Sequence, residues 1–151
     1  PIDQAEKILH DYIDREHIAL LERESDEAFY NPIADSITLP QITQFERAEA
    51  FYSTAFHECG HSTLKASRCN REAENKMALF GSEDYSKEEL VAEITSAAIM
   101  NHIGLETPAT FKNSAAYIQS WLNALKKDKK LIVSASGKAE KAARYILNIN
   151  D

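Results

Sequence analysis

The sequence predicts an α+β fold, with a small N-terminal antiparallel sheet followed by a helical body. Three observations carry this. Between positions 18 and 40 the apolar residues fall in short runs separated by turn-forming residues. From about position 45 onward they recur at three- and four-residue spacing. Only 4 Gly and 4 Pro occur in 151 residues, so long uninterrupted elements are expected.

Residues 3–16 read as a helix, because Ile2, Ala5, Ile8, Leu9, Tyr12 and Ile13 fall on one side. Ile18 to Leu21 is a short apolar run that suits a strand. Ala28 to Tyr30 and Ser36 to Leu39 flank Asn31-Pro32-Ile33-Ala34-Asp35 and read as a hairpin, with Pro40 stopping its second strand. Phe45 to Leu64 reads as a helix with Ala48, Phe51, Tyr52, Ala55, Phe56 and Cys59 on its apolar side. Residues 65–86 hold Gly81, Ser82 and several charges and are expected to be mostly loop. Ser86 then opens a helix that runs to about Ile103, before Gly104. A further helix covers about 111–126 through Ile118, Trp121, Leu122 and Leu125. A last one carries Ala139, Ala142, Ile146 and Leu147.

At 17.0 kDa, with 44% hydrophobic and 27% charged residues, the chain reads as one domain, 1–151, with its own core. That composition excludes a disordered or collagen-like chain. No apolar run approaches the roughly 20 residues of a membrane span, so no membrane partner is expected. Two cysteines, Cys59 and Cys69, are too few for a disulfide scaffold, and no signal peptide is visible, which points to the cytoplasm. The net charge of −7 is uneven: residues 1–56 carry 4 basic and 12 acidic groups, whereas 126–151 carry 7 and 3. So acidic a chain is a poor nucleic-acid grip, which needs Lys and Arg to displace counterions. The basic tail from Lys126 to Arg144 reads as a solvated helix face.

The segment that carries chemistry is His57-Glu58-Cys59-Gly60-His61. Residues i and i+4 share a helix face, so both imidazoles can hold one Zn²⁺. Glu58 lies beside that face and can act as general base. Thr54, Ala55, Cys59, Gly60 and Ser62 around it are uncharged, which suits a buried helix. A longer version of the motif would place Gly and His three and six residues after His61, but Leu64 and Ser67 stand there. A third ligand must therefore come from elsewhere.

Glu89 and Glu93, again i and i+4, are the candidates: one binds the ion while the other accepts a hydrogen bond from a ligating imidazole. Glu89 is favoured, although Ser86 and Glu89 also fit a capping box, which would leave Glu93 as ligand. Glu88 is expected to face solvent. His102 lies about 20 Å further along the helix and suits a surface role. Cys59 and Cys69 read as packed thiols, and Tyr117 and Trp121 as core or partly buried positions. Tyr85 is a candidate donor to an oxyanion.

An ordered set of segments now bears on the family. It comprises Phe51 to His61, Ser67-Arg68-Cys69-Asn70-Arg71, Phe80-Gly81-Ser82, Tyr85, Glu88 to Glu93, and Ala116-Tyr117-Ile118 with Trp121-Leu122. Together they resemble the C-terminal zincin-like metallopeptidase domain of ArdC-type antirestriction proteins, which is similar to the C-terminal part of TraC-type plasmid primases. The resemblance runs from the hairpin to the final helix. It implies a zincin-like fold, one metal at His57 and His61 with a third ligand from the Glu89/Glu93 pair, and Glu58 as catalytic residue.

It also implies roles in plasmid transfer and in protecting incoming DNA from restriction. In that family a single-stranded-DNA-binding domain lies N-terminal to the zincin domain. This chain, which begins with Pro1, is expected to be the C-terminal part of such a protein, with ssDNA bound by the missing domain. Cys59 and Cys69 stand where apolar residues are common, and Ser62-Thr63-Leu64-Lys65 lacks an aromatic and a His often seen there.

Two functions follow as expectations. In the first, the domain is a zinc metallopeptidase: Zn²⁺, one per chain, on His57, His61 and Glu89 polarises a peptide carbonyl, and Glu58 takes a proton from water and passes it to the leaving amine. The strand at Ser36 to Leu39 would pair with the substrate as an edge strand. In the second, the domain is a non-catalytic metal-holding scaffold in a protein- or DNA-associated binding module, whose acidic first third would mimic DNA or meet a basic protein surface.

Overall fold

The computed structural model describes residues 2–72, 83–125 and 128–149. Among them are helix α1 (Asp3–Glu16), strands β1 (Ala19–Arg23), β2 (Phe29–Asn31) and β3 (Ser36–Pro40), and a single 3₁₀ turn at Ile42–Gln44. Helices α2 (Ala48–Ser62), α3 (Glu83–His102), α4 (Pro108–Ala124) and α5 (Lys129–Leu147) follow. This is the α+β plan that the periodicities predict, in the same order.

The sheet is mixed where an antiparallel one is expected. β2 and β3 form the hairpin, with Tyr30 opposite Ile37, but β1 joins β3 in parallel, with Leu20 opposite Ile37. The order is β1-β3-β2, so β3 is the central strand and every one of its residues is buried. The edge-strand reading of Ser36 to Leu39 is therefore overturned: both of its sides are already hydrogen-bonded. The strand with a side left unpaired among the described residues, and lying next to the chemistry, is β2.

The hairpin turn is built from local polar groups. Asn31 Oδ1 accepts from the backbone N–H of Ile33 and Ala34, at 2.9 and 3.1 Å. Asp35 then takes a left-handed conformation (φ 52°). Its carboxylate is gripped by Arg68, with Nη1 and Nη2 donating at 2.8 and 2.7 Å. Arg68 also donates to Glu16 and to the carbonyl of Ser62, tying the hairpin to the ends of α1 and α2. Tyr145 of α5 donates to the same Glu16.

One core cluster joins α1, the sheet, α2, the second half of α3 and the end of α5 through Leu9, Tyr12, Ile37, Leu39, Phe51, Phe56 and Ile99. A second joins the start of α3 to α4 and α5 through Leu90, Val91, Leu125 and Ala139. Helix α3 belongs to both, so apolar and polar residues alike are buried around it. The helix begins at Glu83, ahead of Ser86, which is buried inside it rather than capping it. The Ser86–Glu89 capping box is thereby overturned. Residues 73–82 of the expected loop lie outside the described residues, and 83–86 are helical.

Helices α2 and α3 meet where side chains are small. A Cβ on Gly60 would lie 3.1 Å from Ala92 Cα and 3.3 Å from Ala92 O, closer than side chains normally approach backbone. Ser96 Oγ donates to the Ser53 carbonyl at 2.6 Å across the same seam. Gly60→Ala raises helix propensity by about 1 kcal/mol. It also wedges a methyl group against backbone that cannot rotate away, which costs about 1–3 kcal/mol. The expected net effect is a lower melting temperature, read by circular dichroism. An unchanged or raised value would show that the seam has slack.

Candidate metal centre

Helix α2 presents His57 and His61 toward α3, their ring centroids 4.9 Å apart. The close α2–α3 seam brings three carboxylates of α3 to meet them. Glu89 reaches both rings: Oε2 lies 3.3 Å from His57 Nε2 and Oε1 lies 2.9 Å from His61 Nε2. One donor atom from each of His57, His61 and Glu89 can be chosen so that all three lie within 4.8 Å of one another. Two imidazole nitrogens and one carboxylate oxygen converging from two helices are a donor set that fits a divalent ion with a position left open.

The other face of each ring is also held. Glu93 Oε2 lies 2.8 Å from His57 Nδ1, and Glu88 Oε2 lies 3.0 Å from His61 Nδ1. Each imidazole therefore has its own carboxylate on Nδ1, which turns Nε2 toward the common point. Glu88 is thus buried and engaged, contrary to its expected solvent-facing position. It also receives Arg71, whose Nε and Nη2 donate to its two oxygens at 3.0 Å each. The i, i+4 argument could not see this, because α3 is packed on several sides and buries Glu88, Glu93 and Leu90 alike.

The electrostatics follow from these pairs. Burial opposes charge on His57, but its bonds to Glu89 and Glu93 outweigh it and lift the pKa to about 9. His61 is lifted to about 10 against the same burial penalty, by Glu88 and Glu89. Burial pushes Glu89 up, but the two imidazoles hold it well below the usual carboxylate range. Glu88 is held low in the same way by His61 and Arg71. Metal-free, the centre is a network of imidazolium and carboxylate.

Glu58 is different. Its carboxyl is buried beside the cluster, and burial raises its pKa, with the charges of His61 and His57 and the backbone of Tyr30 acting in the opposite direction. A carboxylate with raised proton affinity next to such a donor set suits general-base chemistry.

The cluster opens onto a cleft of about 980 Å³ lined by His57, Glu58, His61 and Glu89. One wall is β2, with Phe29 and Tyr30, and the other is α4, with Thr110, Asn113, Ser114, Tyr117 and Trp121. Tyr85 stands between, edge-on to Trp121 at 5.7 Å, and burial raises its hydroxyl pKa. Trp121 is partly buried, as expected, but Tyr117 is exposed, and reading the two as core or partly buried positions missed this wall. The signal was present: positions 110, 113, 114, 117 and 121 share one helix face, and the first three are polar. His102 is exposed at the end of α3 and outside the cluster. Cys59 is a buried free thiol pushed up by burial, and Cys69 likewise.

Comparison with known proteins bears on this geometry. Residues 4–138 match the family model described as zincin-like metallopeptidase. Two DNA primases TraC of Escherichia coli are each 43% identical, over 123 and 125 residues, covering 81% and 82% of this chain but 8% and 11% of the primases. An uncharacterized protein, y4eC, of Sinorhizobium fredii is 35% identical over 120 residues, or 80% of this chain and 38% of its own.

Among solved structures, the Mn(II)-bound antirestriction protein ArdC of plasmid R388 is similar with a TM-score of 0.72 and 35% identity, over 93% of this chain and 51% of that one. Its metal-free form gives a TM-score of 0.69 at 34% identity, over 95% and 52%. The chain spans about half the length of ArdC, and less than that of the curated relatives it matches. A fold shared over nearly the whole chain and a family match across both halves of the centre lead to one conclusion: the chain belongs to the zincin-like metallopeptidase family.

Proposed function

We propose that this domain is a zinc-dependent peptide hydrolase, with one Zn²⁺ per chain held by His57, His61 and Glu89. The observation that carries the reading is the convergence of those three donors in a cleft beside the buried Glu58 carboxyl. A divalent ion held there supplies Lewis-acid polarisation of a carbonyl and acidification of water. The remaining work falls to the chain itself.

Glu58 takes the proton of the attacking water and delivers it to the leaving amine. Its burial suits it to both halves of that task, since it raises proton affinity toward the working pH. Tyr85, kept protonated by burial, donates to the developing oxyanion from the cleft wall. Glu93 holds His57 in the tautomer that leaves Nε2 free. The side of β2 left unpaired among the described residues takes up an extended peptide segment as an added strand. The residues 1–151 act as one domain.

The biological setting is read from the relatives. ArdC is named an antirestriction protein and TraC a DNA primase, so the domain would serve in antirestriction or conjugation of a mobile element. It would work in the cytoplasm, as part of a longer protein that binds ssDNA through an N-terminal domain. No described helix is long and apolar enough to cross a membrane. One finding favours a second reading, a metal-holding module without proteolysis: the related ArdC binds Mn(II) and is named for antirestriction. Mn²⁺ is accordingly the competitor to Zn²⁺ for this mixed nitrogen and oxygen site.

Elemental analysis of the purified chain should find about one metal ion, lost in His61→Ala. Glu58→Gln should keep the ion and lower peptide hydrolysis by about 10²–10⁴-fold. Retained turnover in Glu58→Gln would remove Glu58 as the base. Metal retention with no hydrolysis in either protein would favour the second reading.

Loading should also release protons. His57 and His61, lifted to about 9 and 10, are protonated at pH 7 and bind an ion only as neutral imidazoles. Calorimetry in buffers of different ionisation enthalpy should count nearly two protons per ion at pH 7, with affinity rising as pH approaches 9. The metal-free protein should do the reverse. Its raised histidines stabilise it fully below about pH 6.5, and that stability fades as pH rises through 9 to 10. Proton release near zero would place free imidazoles in the metal-free state.

A further inference from the structure

We propose that Arg71 is a positioning residue for His61, acting through Glu88. The inference rests on reading His57, His61 and Glu89 as a metal triad, and extends it to a residue outside that triad. Arg71 follows the turn after α2, where its own N–H bonds the Leu64 carbonyl at 2.7 Å. From there its side chain runs back under α2 and is almost fully buried.

Among the described residues the guanidinium makes two kinds of contact. Toward α3 it forms a two-pronged pair with Glu88, Nε to Oε1 and Nη2 to Oε2, each at 3.0 Å. Toward α2 it donates to the Gly60 carbonyl at 3.1 Å and to Thr63 Oγ1 at 2.9 Å. Glu88 Oε2, which receives Nη2, is the same atom that lies 3.0 Å from His61 Nδ1. Arg71 thus holds both the carboxylate that orients the His61 ring and the backbone of the residue before His61. Rotation of Glu88 about its last bond would break two arginine bonds at once. The planar fork fixes that carboxylate in a way a single ammonium cannot. The carbonyl at the C-terminal end of α2 also draws a cation.

This arrangement separates a positioning role from simple support. Support would change how readily the metal-free chain melts. Positioning changes how well the folded chain binds an ion, and how the ion's ligand field looks. Groups of this kind are worth about 10–100-fold in metal affinity.

The test uses the full chain, with Zn²⁺ affinity measured against a chromophoric chelator, Co²⁺ absorption bands as the signature of the ligand set, and metal-free melting temperature beside them. Arg71→Met should weaken Zn²⁺ binding by about 10–100-fold and shift the Co²⁺ bands. Glu88→Gln should do the same, and the double variant should be little worse than either one, because both act on one ring. Arg71→Lys keeps the charge but loses the fork, and should recover only part of the affinity. If Arg71→Met does not fold, Arg71→Lys and Glu88→Gln carry the test.

Wild-type affinity and bands in the folded arginine variant, whatever its melting temperature, would overturn the inference. So would losses that simply add in the double variant. Failure of the underlying reading looks different: the wild type binds no ion, or His61→Ala binds it as tightly. That result overturns both.

Discussion

The centre depends on how closely α2 approaches α3. The histidines are on one helix and the carboxylates that meet them are on the other, so the spacing of the seam sets every distance in the cluster. Gly60 permits that spacing, because even a methyl group there would press on the backbone at Ala92 and push it back by a few tenths of an ångström. Ser53, Ser96 and Thr95 keep the rest of the seam small: the Ser96 and Thr95 hydroxyls donate to the Ser53 and Val91 carbonyls, and the Ser53 hydroxyl meets that of Ser96. A wider seam would leave His57 and His61 as two helix-face histidines with nothing opposite. Gly60 falls inside the His-Glu motif, so the residue that sets the seam lies between the two residues whose reach it governs.

That approach concentrates charge, and the chain has to balance it. Glu58, Glu88, Glu89 and Glu93 all lie near two imidazoles, in surroundings that disfavour net charge. Protons on the histidines and the buried Arg71 provide the balance in the metal-free chain. A divalent ion would replace those protons rather than fill a neutral hole, so occupancy of the site is coupled to pH. Glu58 stands apart from the other three: they are paired and two of them are held low, while it is buried and raised. Divergent environments for neighbouring carboxyls separate groups that bind from a group that moves a proton.

Much of this was legible in residue spacing. Helical periodicity located α1, α2 and α4 to within a few residues, and it placed a last helix through Ala139 to Leu147 without its start at Lys129; the apolar stripe is clearest in α1 and α5. The His57/His61 pair was legible for the same reason, as was the Glu89/Glu93 pair. The start of α3 was not, since a helix buried on several sides has no stripe and Ser86 imitates a cap. Glu88 was misplaced for that reason as well: solvent exposure is the usual fate of one charge in a Glu-Glu pair, and only a buried arginine from a distant turn reverses it. The parallel addition of β1 to β3 was hidden too, because a hairpin signal reports which strands are joined by a turn and is silent about the third neighbour.

The same correction alters how the cleft can work. With β3 sealed between two strands, β2 is the strand that meets the cleft, and it is only three residues long. So short a strand has little rigidity of its own. Its position is imposed from outside: Asp35, at the end of the turn that follows it, is clamped by Arg68, which is anchored on Glu16 and the Ser62 carbonyl. Ser62 follows His61 directly, and its hydroxyl meets Tyr12 of α1 at 2.7 Å. The strand beside Glu58 and the helix that carries the histidines are thereby fixed to a common frame. Loss of Arg68 would leave the donor cluster standing but free β2 to shift against it. In the proposed reaction that separates the two jobs of the site, binding an ion and aligning a peptide, onto two arginines: Arg71 under the histidines and Arg68 behind the strand.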